Sequence, residues 1–250
     1  MQKEIVRSLH NFSPISLEDM DNVSLLKRTD TKFMLHRNQL LQIFEAIQDS
    51  YNVLEIEGSR ISSYQSLYYD TKENLFYKSH HNGKIRRAKI RKRRYKESGL
   101  TFLEVKKKDG KGNTNKFRSQ IPDFDAELCV DSQQFLSETI PMEQCISPTL
   151  KNTFKRITLV SKSAKERVTI DFNLKFKNEK RKKSFKRLVI IEVKQERLDR
   201  SSPIIVLLKS IGNTPERISK YCLGMVSLYK DLKYNIFKKK ILRINKLTSA

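Results

Sequence analysis

Hydrophobic and polar residues alternate along much of the chain, which is the period of β-strands that bury one face. In 166–176, the apolar residues fall on one side of the strand, and Arg167, Thr169 and Asp171 fall on the other. The same alternation predicts about eight strands, over 25–36, 61–69, 84–95, 100–108, 114–121, 151–160, 166–176 and 185–195.

Apolar residues at helical spacing, together with capping residues, predict helices between these strands. The predicted helices span 38–48, a short segment from Asp70 to Gly83, 131–139, 202–210 and 214–231. Pro203 takes the favoured first position of its helix. Residues 1–24 are polar and are predicted to be loosely ordered, with one short helix near 16–20, and the basic tail 233–250 is predicted to fray.

Many short antiparallel strands in a chain of 250 residues favour a closed barrel. The sequence therefore predicts an α+β fold, an antiparallel closed β-barrel with helices packed outside. It divides into an N-terminal polar segment at 1–24, a barrel domain at 25–232 and a basic tail at 233–250.

Three segments repeat one pattern, an acid, one residue and a lysine: Asp30-Thr-Lys32, Glu104-Val-Lys106 and Glu192-Val-Lys194. Side chains two apart on a strand share a face, so each segment places a carboxylate beside an ammonium. One such pair is usually a solvated surface ion pair. Three pairs among basic strands suggest a polar sheet face that acts on a polyanion.

The formal charge of +23 and the pI of about 9.9 strengthen that suggestion. Such a surplus destabilises a compact chain, and nucleic acid, an anionic membrane or a phosphorylated ligand would offset it. The three cysteines are widely spaced, which argues against a disulfide scaffold or zinc site and predicts a reducing, cytoplasmic location. No stretch is apolar enough for a signal peptide or membrane span, and no Walker-type or GxGxxG loop occurs.

Two arrangements of the basic strands stay open at this point. The apolar faces could point into the barrel and leave the charges solvated. Alternatively, the barrel interior is polar and the apolar faces pack outward against the helices. A tunnel lined by Lys and Arg would repel itself unless it held a chain of phosphates, with a divalent cation at its carboxylates.

At these residues the sequence resembles the VTC domain, the polyphosphate polymerase branch of the triphosphate tunnel metalloenzymes. The signatures run from about Arg28 to Tyr229 and are RTDTKF, SLYYDT, KIRKRRY, FLEVKKK, KFR, FKR with ERVTID, IIEVK and ISKYCLG. The resemblance implies a basic tunnel, a Mn²⁺ or Mg²⁺ cofactor and transfer of the terminal phosphate of ATP to polyphosphate. Pyrophosphate and triphosphate are further expected ligands.

The resemblance also implies roles for single residues. Catalytic phosphate ligands in the lumen would be Lys32, Arg91, Arg93, Lys106, Lys116, Arg156, Arg167 and Lys220. Supporting substrate-binding residues would be Arg28, Arg118, Lys194 and Ser219. Glu192 would hold the metal, and Glu104 is a second, weaker candidate for that role.

The chain departs from the hydrolytic relatives, whose first strand carries ExExK where this chain has Arg28-x-Asp30-x-Lys32. The missing glutamate favours a polymerase over a triphosphatase, which stays the first alternative. Phe154 stands where polymerases often have tyrosine. The second alternative is a non-catalytic module that binds polyphosphate or RNA, but few aromatic residues are placed beside the basic strands, so no nucleic acid is expected.

Overall fold

The computed structural model describes residues 2–21, 28–111, 113–125, 127–140, 142 and 144–249. The strands are β1 (Ser13–Ile15), β2 (Thr29–His36), β3 (Tyr51–Leu54), β4 (Ser62–Thr71), β5 (Arg87–Tyr95), β6 (Thr101–Lys108), β7 (Thr114–Ile121), β8 (Ile146–Ser161), β9 (Glu166–Lys177), β10 (Lys182–Phe185) and β11 (Leu188–Gln195). The helices are α1 (Gln2–Leu9), α2 (Leu17–Asp21), α3 (Leu40–Ile47), α4 (Leu75–His81), α5 (Val130–Thr139), α6 (Pro203–Ser210), α7 (Lys220–Leu228) and α8 (Lys238–Ser249), with 3₁₀ turns at Arg37–Gln39 and Asn235–Phe237.

All strands belong to one sheet, whose main path runs β2-β11-β9-β8-β4-β5-β6-β7. Every pairing along this path is antiparallel. The predicted α+β class with a large antiparallel sheet is thus confirmed. Among the described residues, no hydrogen-bonded ladder joins the two ends of the path, β2 and β7.

The sheet curves so that its two ends face each other. Burial lowers the pKa of Lys106 on β6, while the negative charges of Asp30 on β2 and Glu192 on β11 act to raise it. Coulombic effects of this kind require proximity. Strands at opposite ends of the path therefore share one concave face, which carries the acid-x-Lys segments.

The convex face of the sheet is apolar and covered by helices. Phe33, Ile170 and Ile191 belong to a buried cluster that also contains residues of α1, α3 and α6. On the other half of the sheet, Leu103 and Val105 pack with Leu136 of α5. The apolar faces therefore point outward to the helices, and the solvated-charge arrangement does not apply.

One end of the concave face is closed by α7. Asn173 adopts a left-handed conformation, φ +54°, beside an irregularity in the β8–β9 register. The chain consequently turns Leu174 and Phe176 to the concave side, where they pack with Tyr221 and other residues of α7. An apolar floor therefore lies beside the charged part of the face.

Asp70, at the end of β4, ties α4 and α7 to the sheet. Its buried carboxylate accepts hydrogen bonds from the N–H groups of Phe76 and Tyr77 and from the hydroxyl of Tyr221. Asp70 and Thr71 lie in the strand and do not begin the helix, but Thr71 also accepts from the N–H of Leu75. The predicted helix start at Asp70 is therefore five residues too early, although the side chains of both residues accept hydrogen bonds from the first turn of the helix.

Both chain ends differ from the predictions of loose order and fraying. Ile5 and Leu9 of α1 are buried against α3, and Ile244 of α8 is buried beside α7. Each helix buries only one or two apolar residues in a largely polar sequence, so its composition indicated loose order. The predicted short helix near 16–20 is present as α2, whereas the last predicted helix begins at Lys220 and not at 214.

The remaining sequence predictions at the N-terminus concern residues outside the described ranges. The predicted strand start at 25–27 and the domain boundary between 24 and 25 lie there. The division into 1–24, 25–232 and 233–250 stays a prediction. No helix in the described ranges has both the length and the apolar character needed to cross a bilayer.

Gly224 sets the distance between α7 and the sheet. A Cβ at this position would lie 2.6 Å from Cδ1 of Phe176 and 3.0 Å from Cδ2 of Leu150. Alanine in a helix is normally favoured over glycine by about 1 kcal/mol, but overpacking costs about 1–3 kcal/mol. We expect Gly224→Ala to lower the melting temperature by several degrees in thermal unfolding. A higher melting temperature would contradict the close packing of α7.

Candidate functional site

Each strand of the main path contributes alternate residues to the concave face, and α7 adds its first residue. The alternation follows from the register, since Lys106 lies opposite both Lys89 and Lys116, and Glu104 lies opposite both Arg91 and Arg118. The cations of this face outnumber its carboxylates. They are Lys32, Lys89, Arg91, Arg93, Lys106, Lys116, Arg118, Arg156, Arg167, Lys194 and Lys220.

Glu192 lies between two ammonium groups. Lys32 Nζ is 2.7 Å from Oε1, and Lys194 Nζ is 3.0 Å from Oε2. Burial alone would raise the pKa of Glu192, but the charges of Lys194 and Lys32 hold it well below its usual range. Burial lowers the pKa of Lys194 to about 8 against the opposing effect of Glu192. This cluster joins β2 to β11.

Asp171 forms a second cluster between β9, β8 and α7. Arg156 binds it with both arms, Nε at 2.6 Å from Oδ1 and Nη2 at 2.7 Å from Oδ2. Lys220 also donates to Oδ2. The carboxylate is 1% exposed, and although burial would raise its pKa, Arg156 and Lys220 hold the pKa of Asp171 far below its usual range.

Glu104 is the centre of a third cluster, which joins β5, β6 and β7. Arg91 donates from Nε at 2.8 Å and approaches with Nη2 at 2.6 Å, and Lys116 contacts Oε1. Burial would raise the pKa of Glu104, but the charges of Arg91, Arg93 and Lys116 lower it strongly. Arg91 also donates to the hydroxyl of Tyr68 at 3.2 Å. The Glu104 side chain is held as an anion by cations on two neighbouring strands, β5 and β7.

The positive charge of the face is only partly balanced. Arg93 is buried and donates to Ser66 Oγ at 3.2 Å, a neutral acceptor. Burial lowers the pKa of Lys89, and the charges of Lys106 and Arg91 lower it further. Like charges disfavour one another in such a confined space. A ligand with several negative charges would therefore be stabilised on this face.

The supporting residues lie at the margins of the face or in a structural role. Arg28 donates to Asp30 Oδ1 at 3.0 Å. Arg118 is exposed on β7, with its guanidinium 5.0 Å from the ring centre of Phe102. The supporting residue Lys194 lies opposite Arg167, a predicted phosphate ligand, in the β9–β11 register. Ser219 caps α7 by accepting from the N–H of Cys222 at 3.3 Å. The functional roles of these residues stay predictions.

The two predicted metal ligands lie in different surroundings. The described residues contain no group of three or more His, Cys, Asp or Glu side chains that could hold a metal ion. Mg²⁺ and Mn²⁺ sites of the phosphate-transfer type need only one or two carboxylates, because substrate phosphates complete the shell. Glu192 fits this requirement, since it is 17% exposed and Asp30 lies against the same Lys32. Both carboxylates are held by two cations, but Glu104 fits poorly, because it is only 2% exposed.

The sequence reasoning did not single out Asp171 or Lys89 as site residues. The alternation had placed Asp171 on the charged side of its strand with Arg167, which was the available signal. The expectation that few aromatic residues lie beside the basic strands is wrong. The concave face carries four of them among its cations: Tyr64, Tyr95, Phe102 and Phe154. The local sequence around Lys220 is typical of a surface lysine, but the side chain of Lys220 is only 16% exposed.

Comparison with known proteins agrees with this architecture. The sheet matches a putative adenylyl cyclase from Hippeastrum, described as having a dominant triphosphatase activity, with a TM-score of 0.50, 14% identity and coverage of 83% of this chain and 99% of that one. A putative adenylate cyclase from Bacillus halodurans matches with a TM-score of 0.50, 11% identity and coverage of 82% and 98%. At these identities the matches support the fold alone. No protein with a curated description matches this chain.

The fold is that of the triphosphate tunnel proteins. The VTC domain matches residues 27–229, and the chain belongs to the VTC domain family. This family implies triphosphate ligands and is generally metal-dependent.

The pKa of Lys194 makes ligand binding pH-dependent. A polyanion beside Lys194 favours its charged form and raises its pKa from about 8. Near pH 8, binding of inorganic tripolyphosphate should therefore take up about half a proton at this group. We expect the calorimetric binding enthalpy to depend on the ionisation enthalpy of the buffer at pH 8 but much less at pH 6, where Lys194 is protonated throughout.

The control for this measurement is Lys194→Met, in which the uptake should fall. Unchanged proton uptake in the variant would assign the effect to another group. Because tripolyphosphate itself releases protons when it binds cations, the contribution of Lys194 is the difference in proton uptake between the two proteins, and no difference at pH 8 would contradict the lowered pKa.

Proposed function

We propose that this protein is a metal-dependent polyphosphate polymerase, which transfers the terminal phosphate of ATP to a growing polyphosphate chain. The observation that carries the proposal is the convergence of cations from seven strands and α7 on one concave face. Its buried carboxylates Asp171 and Glu104 are already neutralised by paired cations. The remaining positive charge matches a linear chain of phosphates.

We further propose that the concave face is a closed tunnel. Lys106 of β6 lies within the electrostatic reach of Asp30 and Lys32 of β2, which supports closure around the lumen. A closed tunnel would admit an extended phosphate chain and exclude stacked bases and sugars by size.

In the proposed reaction, the terminal oxygen of the bound chain attacks the γ-phosphorus of ATP. A new P–O bond forms, the bond between the γ-phosphorus and the β–γ bridging oxygen breaks, and ADP leaves with that electron pair. The charge on the transferred group is spread over its equatorial oxygens. Arg91, Arg93, Arg156 and Lys220 would bind and orient these oxygens. No side chain forms a covalent intermediate.

Glu192 would hold the divalent cation together with phosphate oxygens, and Asp30 is the nearest second carboxylate. Mn²⁺ or Mg²⁺, when bound there, would neutralise charge on those oxygens. Lys32 and Lys194 hold the Glu192 carboxylate in place and lie where the same phosphates would bind. A hydrolase would need a carboxylate to activate water, but Asp30 is held by Arg28.

The direct test is incubation of the purified protein with ATP and Mn²⁺. A ladder of long phosphate chains on a gel is the expected result. Free phosphate alone would indicate a tunnel triphosphatase, and binding without turnover would indicate a phosphate-binding module. Either of these results would overturn the polymerase assignment.

The metal assignment predicts the effect of Glu192→Gln. The amide removes the anionic oxygen that a hard cation needs. Turnover with Mn²⁺ should be lost, whereas tripolyphosphate should still raise the melting temperature through the basic face. Glu179→Gln, which removes a carboxylate in the turn after β9, is the matched control and should keep full activity. Full activity of Glu192→Gln at ordinary Mn²⁺ would contradict the assignment.

The tunnel predicts a difference between polyphosphate and nucleic acid. Long polyphosphate should compete for the ATP site, while single-stranded RNA of equal charge should compete poorly. Arg156→Ala removes charge-assisted hydrogen bonds and should weaken polyphosphate competition by about tenfold or more. Lys155→Ala removes the adjacent charge from the opposite face of β8 and serves as control. Equal competition by RNA, unaffected by Arg156→Ala, would favour an open nucleic-acid surface.

A further inference from the structure

Four aromatic rings form a continuous group on the concave face. Tyr64 of β4 stacks on Phe154 of β8, with ring centres 5.1 Å apart and planes 12° apart. Tyr95 of β5 meets Tyr64 edge-on at 5.0 Å and Phe102 of β6 edge-on at 5.9 Å. An aromatic wall thus crosses four strands, and three of them, β5, β6 and β8, also carry cations of the concave face.

The two ends of this wall differ. Arg93, Arg156 and Lys220 lie over the rings of Tyr64 or Phe154, at 4.8–5.9 Å from the ring centres. These rings are therefore covered by side chains of the same molecule. At the other end, Tyr95 and Phe102 are half-buried, and the guanidinium over Phe102 belongs to the exposed Arg118.

This outer corner lies beside the Glu104 cluster. Phe102 is two residues before Glu104 on β6, and Arg118 is two residues after Lys116 on β7, which corresponds to about 7 Å along each strand. Because Arg118 and most residues of β7 are exposed, the corner borders solvent. A nucleotide whose phosphates reached Lys116 and Arg91 would place its remaining groups here.

We propose that Tyr95, Phe102 and Arg118 form the subsite for the nucleobase of the nucleotide donor. Bare phosphate gains nothing from an aromatic ring, whereas a purine ring stacks on aromatic side chains and on guanidinium planes. The proposal deepens the proposed function and rests on it, since it assigns the non-phosphate part of the donor. Arg118 thereby has a base-stacking role in place of its predicted phosphate-binding role.

The test compares two ligands that differ only in the nucleoside. Dissociation constants of ATP and of inorganic tripolyphosphate are measured for the parent protein and for Phe102→Ala. We expect the affinity for ATP to fall about tenfold, because stacking is lost. The affinity for tripolyphosphate should change less than twofold. Phe102→Leu keeps most of the apolar volume but removes the ring, and it should show the same selective loss if the alanine variant folds poorly.

Phe117→Ala is the matched control. Phe117 neighbours Arg118 on β7 but lies on the opposite face, where Lys107 lies 5.9 Å from its ring centre. The Phe117→Ala variant should bind ATP and tripolyphosphate with the same affinities as the parent protein. Equal loss of ATP and tripolyphosphate affinity in the Phe102 variants would mean that the ring only positions Arg118 for phosphate, and unchanged ATP affinity would also overturn the subsite. If the parent protein bound ATP but not tripolyphosphate, the proposed function would be contradicted. A loss of ATP affinity in Phe102→Ala would still support the nucleobase subsite.

Discussion

Mutual repulsion among the cations of the concave face is the constraint on which the rest of the structure depends. A chain with a formal charge of +23 places eleven of its 51 Lys and Arg residues on one face of one sheet. Asp171, Glu104 and Glu192 each bind two cations from different strands or from α7. Removing one partner from a buried pair is far more destabilising than the net stabilisation of the pair. The three carboxylates therefore hold the site together in the absence of ligand.

The outward orientation of the apolar faces follows from the same constraint. Because most of the concave face is charged, the sheet buries hydrophobic residues there only at the end closed by α7, and its main core lies on the other side. The helices α3, α5 and α6 supply that core on the outside. This inverted arrangement explains why strands with an ordinary alternating pattern carry a functional face. It also explains why no glycine-rich phosphate loop is needed.

The strands and the charged faces could be predicted from the sequence, because alternation over eight or more residues is a strong local signal. Strands β1, β3 and β10 were not predicted, since they span only three or four residues. Helices α1 and α8 lie in polar segments, whose composition favoured loose order over packed helices. The position of Lys220 depends on the packing of α7 against the sheet, which no local pattern encodes; the family resemblance supplied it. The aromatic wall depends on contacts between strands far apart in the chain, and it was missed for the same reason.

The contact of α7 with the sheet has a consequence for how this fold can diversify. The cations on the strands are spaced by the hydrogen-bonded ladder, which allows little adjustment. Lys220 is carried by a helix, and its depth in the lumen is set by how closely Gly224 lets the helix approach Phe176. The volume of the side chain at position 224 therefore determines how far Lys220 extends over the concave face. Relatives could widen or narrow the passage there without changing a single charged residue.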